Sequence, residues 1–140
     1  MIAYSIGGEG TGSSGTRELR PAARMESRMD PELSFFETEM NRGFLQVLVL
    51  VALEQKTYGY AMIKHFEEMG YAVEENTLYP LLRRLEKNGW ITSLWDVTED
   101  RPKKFYRITE KGRTVRKQAL EIWAGQNETL ERMKEEHRNV

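Results

Sequence analysis

Three helix-patterned segments, two strand-patterned ones separated by a turn-prone stretch, and one long amphipathic segment follow each other along the chain. That order predicts a mainly α, α+β fold: a winged helix-turn-helix with a two-stranded wing and a long C-terminal dimerisation helix. The 140 residues amount to one domain with tails. Pattern divides them into an N-terminal extension at 1–29, a winged unit at 30–109, and a C-terminal helix with a short tail at 110–140. Apolar residues make up 39% and charged residues 31%, enough to bury one small core where the apolar residues cluster.

The extension is rich in Gly and Ser between Gly7 and Gly15 and has no apolar periodicity before about Leu33, so it is expected to be disordered. Arg17, Arg20 and Arg24 in it read either as a basic arm for a phosphate backbone or as part of a solvated tail upstream of a start at Met25, Met29 or Met40. Order begins at Asp30-Pro31-Glu32, with proline just inside a helix start and acids in its first turn. From Leu33 to about Gln55 the pattern is one long helix, or a short and a longer one joined near Asn41 to Gly43. Phe44 to Leu53 is apolar on nearly every side and so has to be enclosed by other elements or by a second chain. The valines there also suit a strand, but ten residues without a turn signal favour a helix.

Thr57 is the expected cap of a second helix from Tyr58 to Met69, closed by Gly70. In the third, Leu78, Leu81, Leu82 and Leu85 fall on one helical face, Asn76 or Thr77 is the expected cap, and Gly89 ends it. Pro80 is placed in or beside the first turn. Trp90 to Asp96 and Lys103 to Thr109 are aromatic and β-branched and form the hairpin, with a loop of about six residues. Thr109 caps the last helix, which runs to about Glu136. Along it Val115, Ala119, Ile122, Gln126, Thr129 or Leu130, and Met133 step by three and four, with Leu120 and Trp123 flanking the stripe. A helix roughly 40 Å long overhangs so small a core, so its stripe calls for a partner beyond its own domain. With Phe44 and Leu48 of the first helix, Val115, Ala119, Ile122, Trp123, Leu130 and Met133 are the candidate homodimer contacts. Met62, Met69 and Met133 read by default as gap-filling core. Gly125, mid-helix, marks either a close helix approach or a bend.

Composition removes several chemistries. Without cysteine there is no thiolate metal site, disulfide or thiol nucleophile, and His65 and His137 lie too far apart to suggest a ligand pair. The glycines at 7–15 follow no strand and form no phosphate-binding loop, so neither an enzyme nor a cofactor site is expected. The longest apolar run is about half of the roughly 20 residues that span a bilayer, and Met1 to Ile6 has no basic n-region. A cytoplasmic location without membrane contact is therefore expected.

Charge is informative by position. Lys and Arg number 21 against 22 Asp and Glu, a net charge of −1. Yet Arg101 to Arg113 holds six cations against Glu110 alone, a local +5, and Glu86 is the only acid between Asn76 and Trp90. Burial of the leucine face leaves Asn76, Thr77, Tyr79, Arg83, Arg84 and Lys87 for solvent, beside Arg101, Lys103 and Lys104 of the wing. Such a face attracts phosphates and brings short polar groups at a helix start within reach of base edges. The competing reading is a protein-interaction module that docks an acidic partner and never reads DNA.

The stretch Thr77-Leu78-Tyr79-Pro80-Leu81-Leu82-Arg83-Arg84-Leu85-Glu86-Lys87-Asn88-Gly89-Trp90-Ile91, preceded by Tyr58-Gly59-Tyr60 and followed by Ser93-Leu94-Trp95 and Lys104-Phe105-Tyr106-Arg107-Ile108-Thr109-Glu110-Lys111-Gly112, resembles the signature of PadR-type transcriptional regulators. The likeness spans roughly Met40 to Met133. It implies a homodimeric winged-helix repressor on a near-palindromic double-stranded DNA operator, released when a small aromatic or phenolic effector binds. The single C-terminal helix is similar to the short subfamily that includes multidrug-responsive repressors, in which a tryptophan of that helix stacks on flat ligands across the dimer axis; Trp123 occupies the similar place. Its other reading is plain packing in the dimer core. By the same resemblance Tyr79 bonds a DNA phosphate, whereas its ring alone also suits a contact near Tyr58 or Tyr60. Phe105 and Tyr106 read as hairpin core rather than stacking platforms. The acids in Val97-Thr98-Glu99-Asp100, where the family often has glycine and basic residues, argue against deep minor-groove insertion of the wing tip.

Overall fold

The computed structural model describes residues 30–138; the N-terminal extension and its arginines lie outside the described residues. Helix α1 is one continuous helix, Pro31–Ala52. Asp30 accepts from the Glu32 amide at 2.9 Å and Pro31 occupies the first turn, where its missing N–H has no helical partner to lose. After it come β1 (Thr57–Tyr58), α2 (Gly59–Glu68), α3 (Glu75–Lys87), β2 (Ile91–Asp96), β3 (Lys103–Ile108) and α4 (Glu110–Glu136).

The wing carries one strand more than the pattern predicts. β1 pairs antiparallel with β3, Thr57 opposite Tyr106 and Tyr58 opposite Phe105, giving the order β1-β3-β2. Thr57 is consequently a strand residue and not a cap. Tyr58 takes the N-cap place with extended backbone and no side-chain cap bond. A two-residue strand is too short to show alternation in a sequence, and tertiary pairing overrides the local cap signal.

At α3 the cap is also displaced. The helix starts at Glu75 behind Glu74, without a side-chain cap bond, so Asn76 and Thr77 sit exposed inside the first turn. Pro80 then lies in the helix proper, where it donates nothing to the Asn76 carbonyl. Four buried leucines on one face, Leu78, Leu81, Leu82 and Leu85, outweigh that missing bond. They join Leu45, Val49, Leu50 and Leu53 of α1, Met62 and Phe66 of α2, and Ile91, Tyr106 and Ile108 of the sheet in one core. Gly70 and Gly89 close α2 and α3 with φ of 93° and 81°, a backbone that favours glycine. Met62 is core, but Met69 and Met133 are each 52% exposed, so the default reading of all three as core holds only for the first.

Thr109 ties the α3–β2 junction to the C-terminal helix. Its hydroxyl accepts from the Gly112 amide at 3.0 Å as the α4 cap and donates to the Gly89 carbonyl at 2.7 Å, while its amide donates to the Trp90 carbonyl at 3.0 Å. Gly112 is buried there, and a Cβ on it would overlap the Trp90 carbonyl. On the other side Glu54 accepts from Arg116 at 2.7 Å and from Arg113 at 3.4 Å. Those hydrogen bonds, Arg116 first, hold the Glu54 carboxyl below its ordinary 4.5.

Past Ala119 every described residue of α4 is exposed, and Phe35, Phe36 and Met40 of α1 are bare as well. The Phe44 to Leu53 run is only partly enclosed within one chain, with Val51 on the outside. Gly125 meets nothing within 4 Å of a built Cβ, and α4 runs through it unbroken.

Two outcomes are expected. Gly112→Ala should cost about 1–3 kcal/mol in urea unfolding, because the added methyl must displace backbone. A carboxyl whose folded pKa is depressed adds stability above its unfolded value and loses it as pH falls through the folded one. Glu54→Gln should therefore flatten the loss of thermal stability below about pH 4.5, the ordinary carboxyl value, while a wild-type acid limb unchanged by the substitution would contradict the pairing.

Candidate nucleic-acid interface

The helical phase of α3 sets the site. With its leucines buried, Asn76, Thr77, Arg83, Arg84 and Lys87 are exposed, and none of the three cations has an ion pair among the described residues. Glu86, the one acid of this stretch, accepts from the Ser93 hydroxyl at 2.6 Å and so turns toward β2. That bond fixes the wing against α3 and takes the acid off the exposed face.

Tyr79 is half-buried, its ring against the start of α2; a Cβ on Gly59 would overlap that ring. Burial, with Glu75 second, pushes its phenol above the ordinary range, so it stays a neutral donor at neutral pH. The ring contact expected near Tyr58 or Tyr60 is thus present at Gly59, between them. It does not occupy the hydroxyl as a donor, so the two readings of Tyr79 are compatible.

The wing splits its lysines. Register places Asp96 opposite Lys103 and Trp95 opposite Lys104, and alternation sends neighbours to opposite faces. Lys104 shares a face with buried Tyr106 and Ile108, the side on which α3 packs. Lys103 lies over Tyr58 at 4.7 Å on the outer face and pairs with Glu99 at 3.9 Å. Phe105 is outer-face too, edge-on to Tyr58 at 5.3 Å with Lys56 over it at 5.0 Å, whereas Tyr106 is core. The expectation that both rings are hairpin core therefore holds for Tyr106 alone. Arg101 is exposed in the loop. Its neighbourhood is opened by Asp96, which accepts from the Thr98 amide at 3.0 Å and hydroxyl at 2.8 Å.

The local +5 read along the chain is smaller in space. Arg113 is committed to Glu54, an acid from another element that a linear count misses, and Lys111 donates to the Asn88 carbonyl at 3.1 Å. Of the cations without an ion pair among the described residues, Arg83, Arg84 and Lys87 lie on α3 and Lys104 on the inner wing face, while the exposed Arg107 alternates to the outer face.

Of the candidate dimer residues, Phe44 meets Trp123 at 5.2 Å between ring centroids and Tyr71 at the same distance. Val115 and Leu48 lean on the core, Ala119 is half-buried, and Ile122, Leu130 and Met133 are 61%, 57% and 52% exposed. Trp123 keeps 39% of its surface open. A groove of about 670 Å³ lies elsewhere, between α1, the α2–α3 connection and α3; Thr77 and Arg84 line it with Asn41, Arg42 and Tyr71, and Trp123 does not.

Comparison with known proteins gives a consistent answer. The Transcriptional regulator PadR-like family model matches residues 47–118. A Mycobacterium tuberculosis transcriptional regulator is 31% identical over 100 residues, 65% of this chain and 94% of its own. The crystal structure of a PadR family transcriptional regulator from Eggerthella lenta superposes with a TM-score of 0.70 at 37% identity, over 75% of this chain and 94% of that one. A PadR-like transcription factor from Bacteroides fragilis gives 0.62 at 29% identity, over 70% and 97%.

The Tyr79 contact predicts a compensating pair. Gly59→Ala should lower the melting temperature by several degrees, roughly what 1–3 kcal/mol of overpacking gives in a domain this size. Adding Tyr79→Ala should recover part of that loss; purely additive destabilisation would contradict the ring-on-glycine packing.

Proposed function

Because this chain belongs to the PadR-like family of transcriptional regulators, we propose that it acts as a homodimeric, sequence-specific DNA-binding repressor. The observation that carries the reading is the exposed α3 face, with Thr77, Arg83, Arg84 and Lys87 presented together and Glu86, the acid among them, drawn to the wing by Ser93. In this mechanism two copies of α3 enter successive major grooves of a near-palindromic operator. Asn76 and Thr77, at the start of the helix, reach base edges. Arg83, Arg84 and Lys87, with Lys104 and Arg101 of the wing, neutralise phosphates, and the Tyr79 hydroxyl donates to one. Lys103, on the outer wing face, contributes to the field and not to a direct contact.

The dimer follows from what one chain leaves uncovered. The exposed half of α4 with Ile122, Leu130 and Met133, and the bare apolar side of α1, are surfaces that a second copy covers. The gap at Gly125 would let two such helices approach closely. A planar aromatic effector would stack on the open face of Trp123 at that seam. Thr109 joins α4 directly to the end of α3, so a shift of α4 moves the reading heads. The effector weakens DNA binding only as far as it prefers the shifted arrangement. The work is done on cytoplasmic DNA, and the described helices include none long and apolar enough to cross a membrane.

Fluorescence anisotropy on duplex from the protein's own upstream region tests this. Arg84→Ala should weaken binding and reduce the slope of log affinity against log salt by about one, with the melting temperature unchanged. Equal affinity for scrambled duplex at physiological salt would replace the reading with a basic surface for an acidic protein partner. Quenching of the chain's fluorescence by planar aromatic drugs should be lost in Trp123→Ala; drugs that bind this variant as tightly as the wild type would place the effector elsewhere.

A further inference from the structure

Trp95 is the largest side chain of the wing, and it is 61% exposed. An indole left in solvent on a short strand adds nothing to the core, and the described residues supply no hydrogen bond for it. Its register partner is Lys104. The Lys104 ammonium lies 5.9 Å from the Trp95 ring centroid and 5.7 Å from that of Tyr106, within reach of both rings' attraction for a cation. Among the described residues Lys104 makes no ion pair. Its chain neighbour Lys103 is held by Glu99 and Tyr58 on the opposite face. Lys104 is thus the wing cation that is both free of carboxylates and held on the α3 side.

We propose that Trp95 is a positioning residue for nucleic-acid binding: with Tyr106 it holds the Lys104 ammonium beside α3, where a backbone phosphate takes it. The inference rests on the DNA-binding reading above. A lysine in solvent gives up rotamer freedom when it meets a phosphate. Two aromatic faces that restrict it beforehand, without neutralising it, reduce that loss. A carboxylate in the same place would restrict Lys104 equally but cancel its charge, which is the situation of Lys103. Tyr106 is buried and fixed, so it forms the constant wall of this cradle, and Trp95 forms the outer one.

The test uses the full chain on its operator duplex, with affinity measured across a salt series and folding followed by thermal melting. Lys104→Ala should bind about tenfold more weakly and lower the salt slope by about one. Trp95→Leu, which keeps an apolar side chain but lacks a π face, should lose about three- to fivefold, and Trp95→Phe should retain most of the affinity. In the Lys104→Ala background, Trp95→Leu should cost less than about twofold more. Trp95→Leu losses equal in both backgrounds, or no loss in the wild-type background, would overturn the inference while leaving DNA binding intact. A wild-type chain that binds no duplex overturns the DNA reading and this inference with it.

Discussion

Burial of the leucine face of α3 is the constraint on which the remaining structure depends. Leu78, Leu82 and Leu85 are fully covered and Leu81 nearly so, against apolar groups of α1, α2 and the sheet. At 3.6 residues per turn, that choice of inward face leaves no freedom in the outward one. Thr77, Arg83, Arg84 and Lys87 are exposed because the leucines are not. The sheet follows the same rule with a period of two. Tyr106 and Ile108 face inward, so Lys104 emerges beside α3 and Lys103 on the far side.

Much of this was legible in the sequence. The leucine spacing, the glycine stops, the Thr109 cap and the hairpin with its six-residue loop are local signals with strong physical causes, and each appears where the pattern places it. β1 was not legible, because two residues carry no periodicity and its strand character comes from Tyr106 and Phe105 across the sheet. The caps at Thr57, Asn76 and Thr77 were misplaced for a related reason: side-chain cap signals are worth about 1 kcal/mol, less than the packing that fixes where a helix enters. Glu54 shows the corresponding limit for charge. It sits in a linear stretch unrelated to the wing, yet it removes Arg113 from the basic surface. The placement of Trp95 over Lys104 needed the register, which a sequence alone does not fix.

The near-zero net charge acquires a physical meaning from the fold. Acids outnumber cations at the start of α1 and between Glu121 and Glu136 of α4, while cations outnumber acids on α3 and the wing, so the molecule is polar in charge rather than neutral. On the proposed dimeric reading, nonspecific attraction to phosphate is modest and tight binding requires both heads at once. In that proposal the Thr109 junction makes the spacing of the two heads depend on how α4 packs, the helix that also carries the partly open Trp123. Under the proposed mechanism dimer packing and DNA affinity are two readouts of one arrangement, and an effector would need only to bias the first to alter the second.

Footprinting of the full-length chain on its own upstream DNA tests that two-headed account most directly. Two protected half-sites should appear together, related by a near two-fold and centred about one helical turn, or 10–10.5 base pairs, apart. Protection of a single half-site at saturating protein, or uniform protection without that spacing, would contradict it.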